Sequence, residues 1–221
     1  MTRIGIVAAF PAELAPLVSS WHKSTGLYTG LIGTTEAIAT CSGMGAAAAT
    51  RACESLLARN PDTLISIGWA GSLSCGLKPP DACAVREVIH AATGERFPTG
   101  SATGQRLITL NRVADPADKR RLAETYQAAL VDMEAATVAR FARERNLAFL
   151  CFKAVTDGPN DRLPDFNRFT GPDGQLRLAS LILHAVTHPR TWGPLRRLGK
   201  NSRLAAVELS QFLTRSLAAS Q

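Results

Sequence analysis

Residues 45–71 read "GAAAATRACESLLARNPDTLISIGWAG". The alanine-rich first part has the composition of a helix, and Asn60-Pro61-Asp62 closes it, because proline offers no N–H and disfavours helical backbone in the residue before it. Thr63–Gly68 then forms a short apolar run, the pattern of a buried strand. Working outward, the same alternation returns on both sides. Residues 3–9, "RIGIVAA", are an apolar run followed by Pro11, which a first helical turn tolerates. Residues 27–43 predict two strands around a polar turn, and strand candidates follow at 82–92, 106–110, 128–133 and 147–155. Asp115-Pro116 has the N-cap and N1 pairing of a short helix. Residues 134–146, "EAATVARFARERN", predict a helix with Ala135, Val138, Ala139 and Ala142 on one face. Strands joined by helices point to an α/β domain around a twisted, mixed sheet.

At 221 residues, 46 % hydrophobic and 19 % charged, the chain has the make-up of a soluble globular protein able to bury a substantial core. No apolar run approaches the roughly 18–20 residues that span a bilayer, and no signal peptide is read at the N-terminus. The expected location is the cytoplasm. The five cysteines (Cys41, Cys53, Cys75, Cys83, Cys151) contain no C-x-x-C and are read as reduced thiols in buried segments.

The net charge of +7 is unevenly placed. Residues 184–221 carry Arg190, Arg196, Arg197, Lys200, Arg203 and Arg215 against Glu208 alone, while the rest of the chain is close to neutral. Few aromatics and no nucleic-acid module argue against a nucleic-acid partner. His184 and His188 are four apart, but no acids complete a metal site, so no metal ligand set is assigned and no cofactor is expected.

In open α/β sheets ligands bind at the carboxyl ends of strands. Here those ends carry Phe10 and Glu13, then Ser42-Gly43-Met44-Gly45, Gly68-Trp69-Ala70-Gly71, Met133-Glu134 and Thr156-Asp157. Three acids and two glycine-rich turns would converge on one rim. No lysine or histidine near the acids is read as a nucleophile or base. Carboxylates alone suit a reaction that develops positive charge and needs a proton delivered, such as glycosidic cleavage through an oxocarbenium-like transition state. Each acid taken singly has an ordinary alternative: Glu134 as a first-turn acid favoured by the helix dipole, Asp157 as a turn former, Glu13 as one face of an amphipathic helix.

The ordered set resembles the purine nucleoside phosphorylase and nucleosidase superfamily, through "IGIVAAFPAEL" at 4–14, "CSGMGAAAATRACESLLARNPDTLISIGWAGSL" at 41–73 and "VDMEAATVARFARERNLAFLCFKAVTDGPND" at 131–161. The resemblance implies a single-domain, three-layer α/β/α sandwich over residues 1–183, with 184–221 as a basic helical extension packed on it, and a homodimer. Within the superfamily the chain is similar to the 5′-methylthioadenosine/S-adenosylhomocysteine nucleosidases. By that likeness Glu13 activates the attacking water, Glu134 holds the ribose hydroxyls over Met133, and Asp157 helps to protonate the departing purine. A pocket closed by apolar side chains could hold its carboxyl protonated. Phe10, Met44, Gly45, Trp69 and Thr156 join the substrate-binding set, and Leu107 and Ile108 are expected to line the base. Trp69 stands where the nucleosidases commonly have serine, and the segment between about 85 and 105 is shorter than theirs.

That shortened middle and the tail look more like the hopanoid-associated phosphorylases, implicated in removing adenine from adenosylhopane. The likeness implies a 5′-substituted adenosine as substrate and gives the tail two readings: a peripheral contact of Trp192 and the arginines with an anionic bilayer, or a solvated helix packed by Leu204, Val207, Leu209 and Leu213. Hydrolysis is favoured over phosphorolysis, since a carboxylate beside a phosphate dianion repels it. Arg51 and Arg106 stay open as phosphate ligands. Two other classes are weaker. Gly43–Ala48 fits G-x-G-x-x-A, but the next strand, "TLISIG", ends without the acid a dinucleotide ribose requires. A non-catalytic nucleoside binder would gain little from a base aimed at the anomeric carbon.

Overall fold

The structure, a computed structural model, describes residues 3–161, 163, 169, 171 and 192–219. Among them run strands β1 (Arg3–Ala8), β2 (His22–Ser24), β3 (Leu27–Ile32), β4 (Thr35–Cys41), β5 (Thr63–Ser72), β6 (Ala82–His90), β7 (Arg96–Pro98), β8 (Gln105–Thr109), β9 (Leu130–Asp132) and β10 (Ala148–Asp157). The helices are α1 (Pro11–Leu14), α2 (Ala46–Leu57), α3 (Pro116–Tyr126), α4 (Ala135–Glu144) and α5 (Trp192–Ala218). His184, His188 and Arg190 lie outside the described residues. The short strands β2 and β7 lack an apolar run of their own and are paired only at the periphery, to β3 and β6.

All ten strands form one mixed sheet, ordered β10-β6-β8-β9-β5-β1-β4-β3-β2 with β7 on β6. β5 also pairs with β10 in parallel, so the path β5-β10-β6-β8-β9 returns to β5 and that part of the sheet closes into a ring. The ring brings the C-terminal end of β5 against the ends of two strands at once: Gly71 is opposite Asp157 on one side and Val131 on the other.

Side chains alternate across the sheet, as strand geometry requires. On one face Val7, Leu64, Cys151 and Val155 pack with Ala49, Cys53 and Leu56 of α2 and with Ala135, Val138, Ala139 and Ala142 of α4. On the other, Ile4, Ile6, Ile65, Ile67 and Phe152 pack with Leu14 of α1 and with Ala205, Leu209 and Leu213 of α5. This is a three-layer α/β/α arrangement. A third cluster joins Leu122 of α3 to Ile89, Ile108 and Val131.

The helix starts follow local chemistry. Asp115 caps α3 by accepting the N–H groups of Ala117 and Asp118, each at 2.8 Å, with Pro116 at the first helical position; such a cap contributes about 0.5–2 kcal/mol. α5 presents a face different from the expected one. Ala205, Ala206, Leu209 and Leu213 are buried, whereas Leu204 and Val207 are exposed, because small alanines allow the helix to lie close on the sheet. Cys75 is exposed, unlike the other four cysteines. No helix among the described residues is long and apolar enough to cross a membrane.

Candidate active site

The strand ends converge on a cavity of about 920 Å³ that is lined by Glu13, Glu134 and Asp157 together. Phe10, Met44, Trp69, Met133 and Thr156 line it as well.

Glu13 is held by its own turn. Its Oε2 accepts the N–H groups of Ala9 at 2.7 Å and Phe10 at 2.8 Å, and its Oε1 accepts the N–H of Trp69 at 2.8 Å. These three donors converge from the ends of β1 and β5, a nest for an anion that the protein fills with a carboxylate of its own. Gly68 makes this possible: a Cβ there would lie 2.8 Å from Glu13 Oε1, and its φ of +148° is a conformation side chains rarely adopt. Burial raises the pKa of Glu13 above its ordinary value, against the lowering effect of the three N–H groups and of Lys153.

Glu134 is the residue before α4, and its Oε1 accepts the Gly45 N–H at 2.7 Å. Gly45 therefore serves by placing Glu134 and is not itself part of the cavity wall. Burial first, and then the charge of Asp132, push the Glu134 carboxyl up to about 8, with the Gly45 N–H and Lys153 opposing.

Below these acids lies an ion pair that sequence reading missed. Lys153 Nζ is 2.9 Å from Asp132 Oδ2, with the two side chains 2 % and 1 % exposed. Burial alone would favour the neutral amine, but Asp132, Cys151 and Glu134 carry the pKa of Lys153 upward. Asp132 also accepts the Thr109 hydroxyl at 2.7 Å and the Ala135 N–H at 3.0 Å, so every oxygen is engaged. A lysine inside the otherwise apolar run of β10 was the available signal, since lysine is almost never fully buried unless paired.

Asp157 stands where the β5–β10 register shifts between Val155 and Asp157. A bulge of this kind re-aims a side chain, here toward the cavity. The Thr156 hydroxyl donates to Asp157 Oδ1 at 2.9 Å, and the ammonium of Lys119 on α3 bonds Oδ2. The surroundings of Asp157 are thus not the apolar closure expected. A cation touches it, because α3 lays its buried face, Lys119 with Leu122, against the ring of strands.

Other expectations are corrected in the same region. Leu107 and Ile108 are fully buried on opposite faces of β8, one in each of two core clusters, and neither lines the cavity. The wall is made instead by Arg112, Val113 and Ala114, in the loop after β8. Arg51 and Arg106 do not line the cavity either; Arg106 pairs with Glu87 at 2.9 Å. The arginines that do are Arg112, paired with Asp118 at 2.6 Å, and Arg203 of α5.

Trp69 lies over Phe10, with ring centroids 5.8 Å apart, and its buried indole N–H has no hydrogen-bond partner among the described residues. From there the cavity runs on toward Pro16, Leu163 and the α5 residues Leu195, Leu198 and Val207. Asn201 ties α5 to the site by donating to the Thr156 carbonyl at 2.9 Å.

Solved structures share this architecture. The 5′-methylthioadenosine/S-adenosylhomocysteine nucleosidase of S. pneumoniae with a transition-state inhibitor is 21 % identical, with a TM-score of 0.73 and full coverage of both chains. The 5′-methylthioadenosine nucleosidase of Arabidopsis thaliana is 18 % identical with a TM-score of 0.75, over 99 % of this chain and 96 % of that one. The futalosine hydrolase of Helicobacter pylori is 16 % identical with a TM-score of 0.73, over 100 % and 98 %. A search of curated proteins found no match to the sequence. The model of the Phosphorylase superfamily matches residues 3–117 and 102–187, which is most of the chain and includes all three acids. On that match, and with the fold in agreement, the chain belongs to the Phosphorylase superfamily.

Proposed function

We propose that the protein cleaves the N-glycosidic bond of an adenosine carrying a bulky apolar 5′ substituent, with water as the nucleophile. The observation that carries this reading is the convergence of Glu13, Glu134 and Asp157 on one cavity. Glu13, its pKa raised by burial, is a stronger base than an ordinary carboxylate and so is suited to take a proton from water. Glu134 accepts hydrogen bonds from the ribose hydroxyls, and Met133 packs against the sugar. Asp157, at the far side, passes a proton to the base as the bond breaks, which turns a poor leaving group into a neutral one.

The choice of water over phosphate is supported by the nest around Glu13. Three converging N–H groups would suit phosphate oxygens, but a carboxylate already takes all three, and its charge repels a second anion. Arg112 and Arg203 keep phosphorolysis as the second reading, since both reach the cavity.

The size of the cavity supports the bulky substituent. At about 920 Å³ it stands near the upper end of the roughly 300–1,000 Å³ typical of ligand pockets, and the space beyond the acids is walled by leucine, valine and proline. The names of the structural neighbours, nucleosidases for methylthioadenosine and a hydrolase for futalosine, are in keeping with a nucleoside whose 5′ end varies. The test measures adenine release from methylthioadenosine and from an adenosine with a polycyclic or long-chain 5′ group, each with and without phosphate. Faster release from the bulky substrate, unchanged by phosphate, is expected. Release only when phosphate is present would replace hydrolysis with phosphorolysis, and no release from any adenosine would end the reading.

A further inference from the structure

Among the described residues Lys119 is one of the largest fully buried side chains, yet it opens on the cavity. Its ammonium bonds Asp157 Oδ2 and donates to the Gly158 carbonyl at 2.6 Å, while the Thr156 hydroxyl holds Asp157 Oδ1. The backbone leaves room for this contact. A Cβ on Gly71 would lie 2.9 Å from Asp157 Oδ2 and 3.3 Å from Lys119 Cε, so a larger residue there would wedge the two side chains apart. Desolvating a lysine in a wall of the cavity is costly unless its charge is matched, and Asp157 is the acid it touches.

We infer that Lys119 is a positioning residue that keeps Asp157 ionised and aimed in the resting protein, so that the acid meeting the base is the Lys119–Asp157 pair. This rests on the reading of Asp157 as the proton donor. As the glycosidic bond breaks, its electron pair leaves with the base. The Lys119 ammonium gives a proton to the Asp157 carboxylate, and the carboxyl so formed passes a proton to the base nitrogen. The resting carboxylate returns with a neutral amine beside it, and solvent reprotonates the amine. Among the described residues the other charged groups around Asp157 are Glu13, Arg112, Asp132, Glu134 and Arg203 along the cavity, and Asp161 and Arg197 in the adjoining smaller one.

The protonation state of Asp157 can be read without substrate. Infrared difference spectra of the wild type minus Asp157→Asn at neutral pH are expected to contain no protonated-carboxyl band. Lys119→Met should create such a band, and Lys119→Met/Asp157→Asn should abolish it, with thermal melts establishing that each variant is folded. If Lys119→Met does not fold, the wild-type difference spectrum alone decides, because an Asp157-dependent protonated band there overturns the inference. A folded Lys119→Met without the new band overturns it as well. With a turned-over nucleoside in hand, Lys119→Met should lower kcat with KM little changed. A merely structural role would lower the melting temperature and create no carboxyl band. Failure to find any substrate would count against the proposed function and leave the infrared result standing.

Discussion

Lys153 Nζ and Asp132 Oδ2 form a buried ion pair at 2.9 Å directly beneath the carboxylates that line the cavity. The acids of the cavity thus stand over a buried cation, and the field of Lys153 lowers the pKa of both Glu13 and Glu134 relative to what burial alone would give.

Removing one partner of such a pair leaves the other charge buried and unmatched. Lys153→Met is expected to lower unfolding free energy by about 3–5 kcal/mol, read from denaturant midpoints at constant slope. Adding Asp132→Asn should recover part of the loss. A Lys153→Met protein as stable as the wild type would show that the pair does not carry the floor of the site.

The Glu134 carboxyl gives a pH dependence of definite sign. Its ordinary value is 4.5, and in the folded protein burial pushes it to about 8. Between those two pH values the unfolded chain has released the proton and the folded chain keeps it. This group's contribution to stability is therefore unaffected below about 4.5, declines as pH rises to about 8, and levels off above. Thermal melts from pH 4 to 9 (about one scan per half unit) should give a decline that is shallower in Glu134→Gln. Parallel curves for the two proteins would remove Glu134 as the source.

Gly68→Ala tests the nest around Glu13. A methyl placed 2.8 Å from Glu13 Oε1 must displace the carboxylate or the turn. Turnover should fall about 10²-fold with the fold retained by circular dichroism, since misplacement of a reacting group by about 1 Å has effects of that size. Wild-type turnover would mean that the carboxylate needs no such placement.

Asp157→Asn and Glu13→Gln separate enzyme from binder. Each should lower kcat by about 10²–10⁴-fold while nucleoside affinity persists. Near-normal turnover in Asp157→Asn would remove that residue from the mechanism.

The apolar wall can be filled without touching the acids. Leu198→Trp, on the α5 side of the cavity, should raise KM for a bulky 5′ substrate about tenfold or more and change methylthioadenosine little. Equal effects on both would place the substituent elsewhere.

The alternation of strands and helices was legible because each element carries its own period and its own stop signal: Pro61 after α2, Asp115-Pro116 before α3, the alanine face of α4. The three acids were legible because each closes a strand or opens a helix. What could not be read was pairing at a distance. Lys119 and Asp157 are 38 residues apart, and nothing local says that α3 turns a lysine inward except its three-residue spacing from Leu122. The placement of Leu107 and Ile108 failed for a related reason. β8 is an inner member of the closed ring, so both its faces are core, and the chain reaches the cavity only after the strand ends.

The acids and the apolar wall come from different parts of the chain. Glu13, Glu134 and Asp157 are set by strands within the first 157 residues, whereas Leu195, Leu198 and Val207 belong to the closing helix, which contributes no carboxylate to the cavity. Substitutions along that helix can therefore reshape the apolar wall while the three acids keep their places.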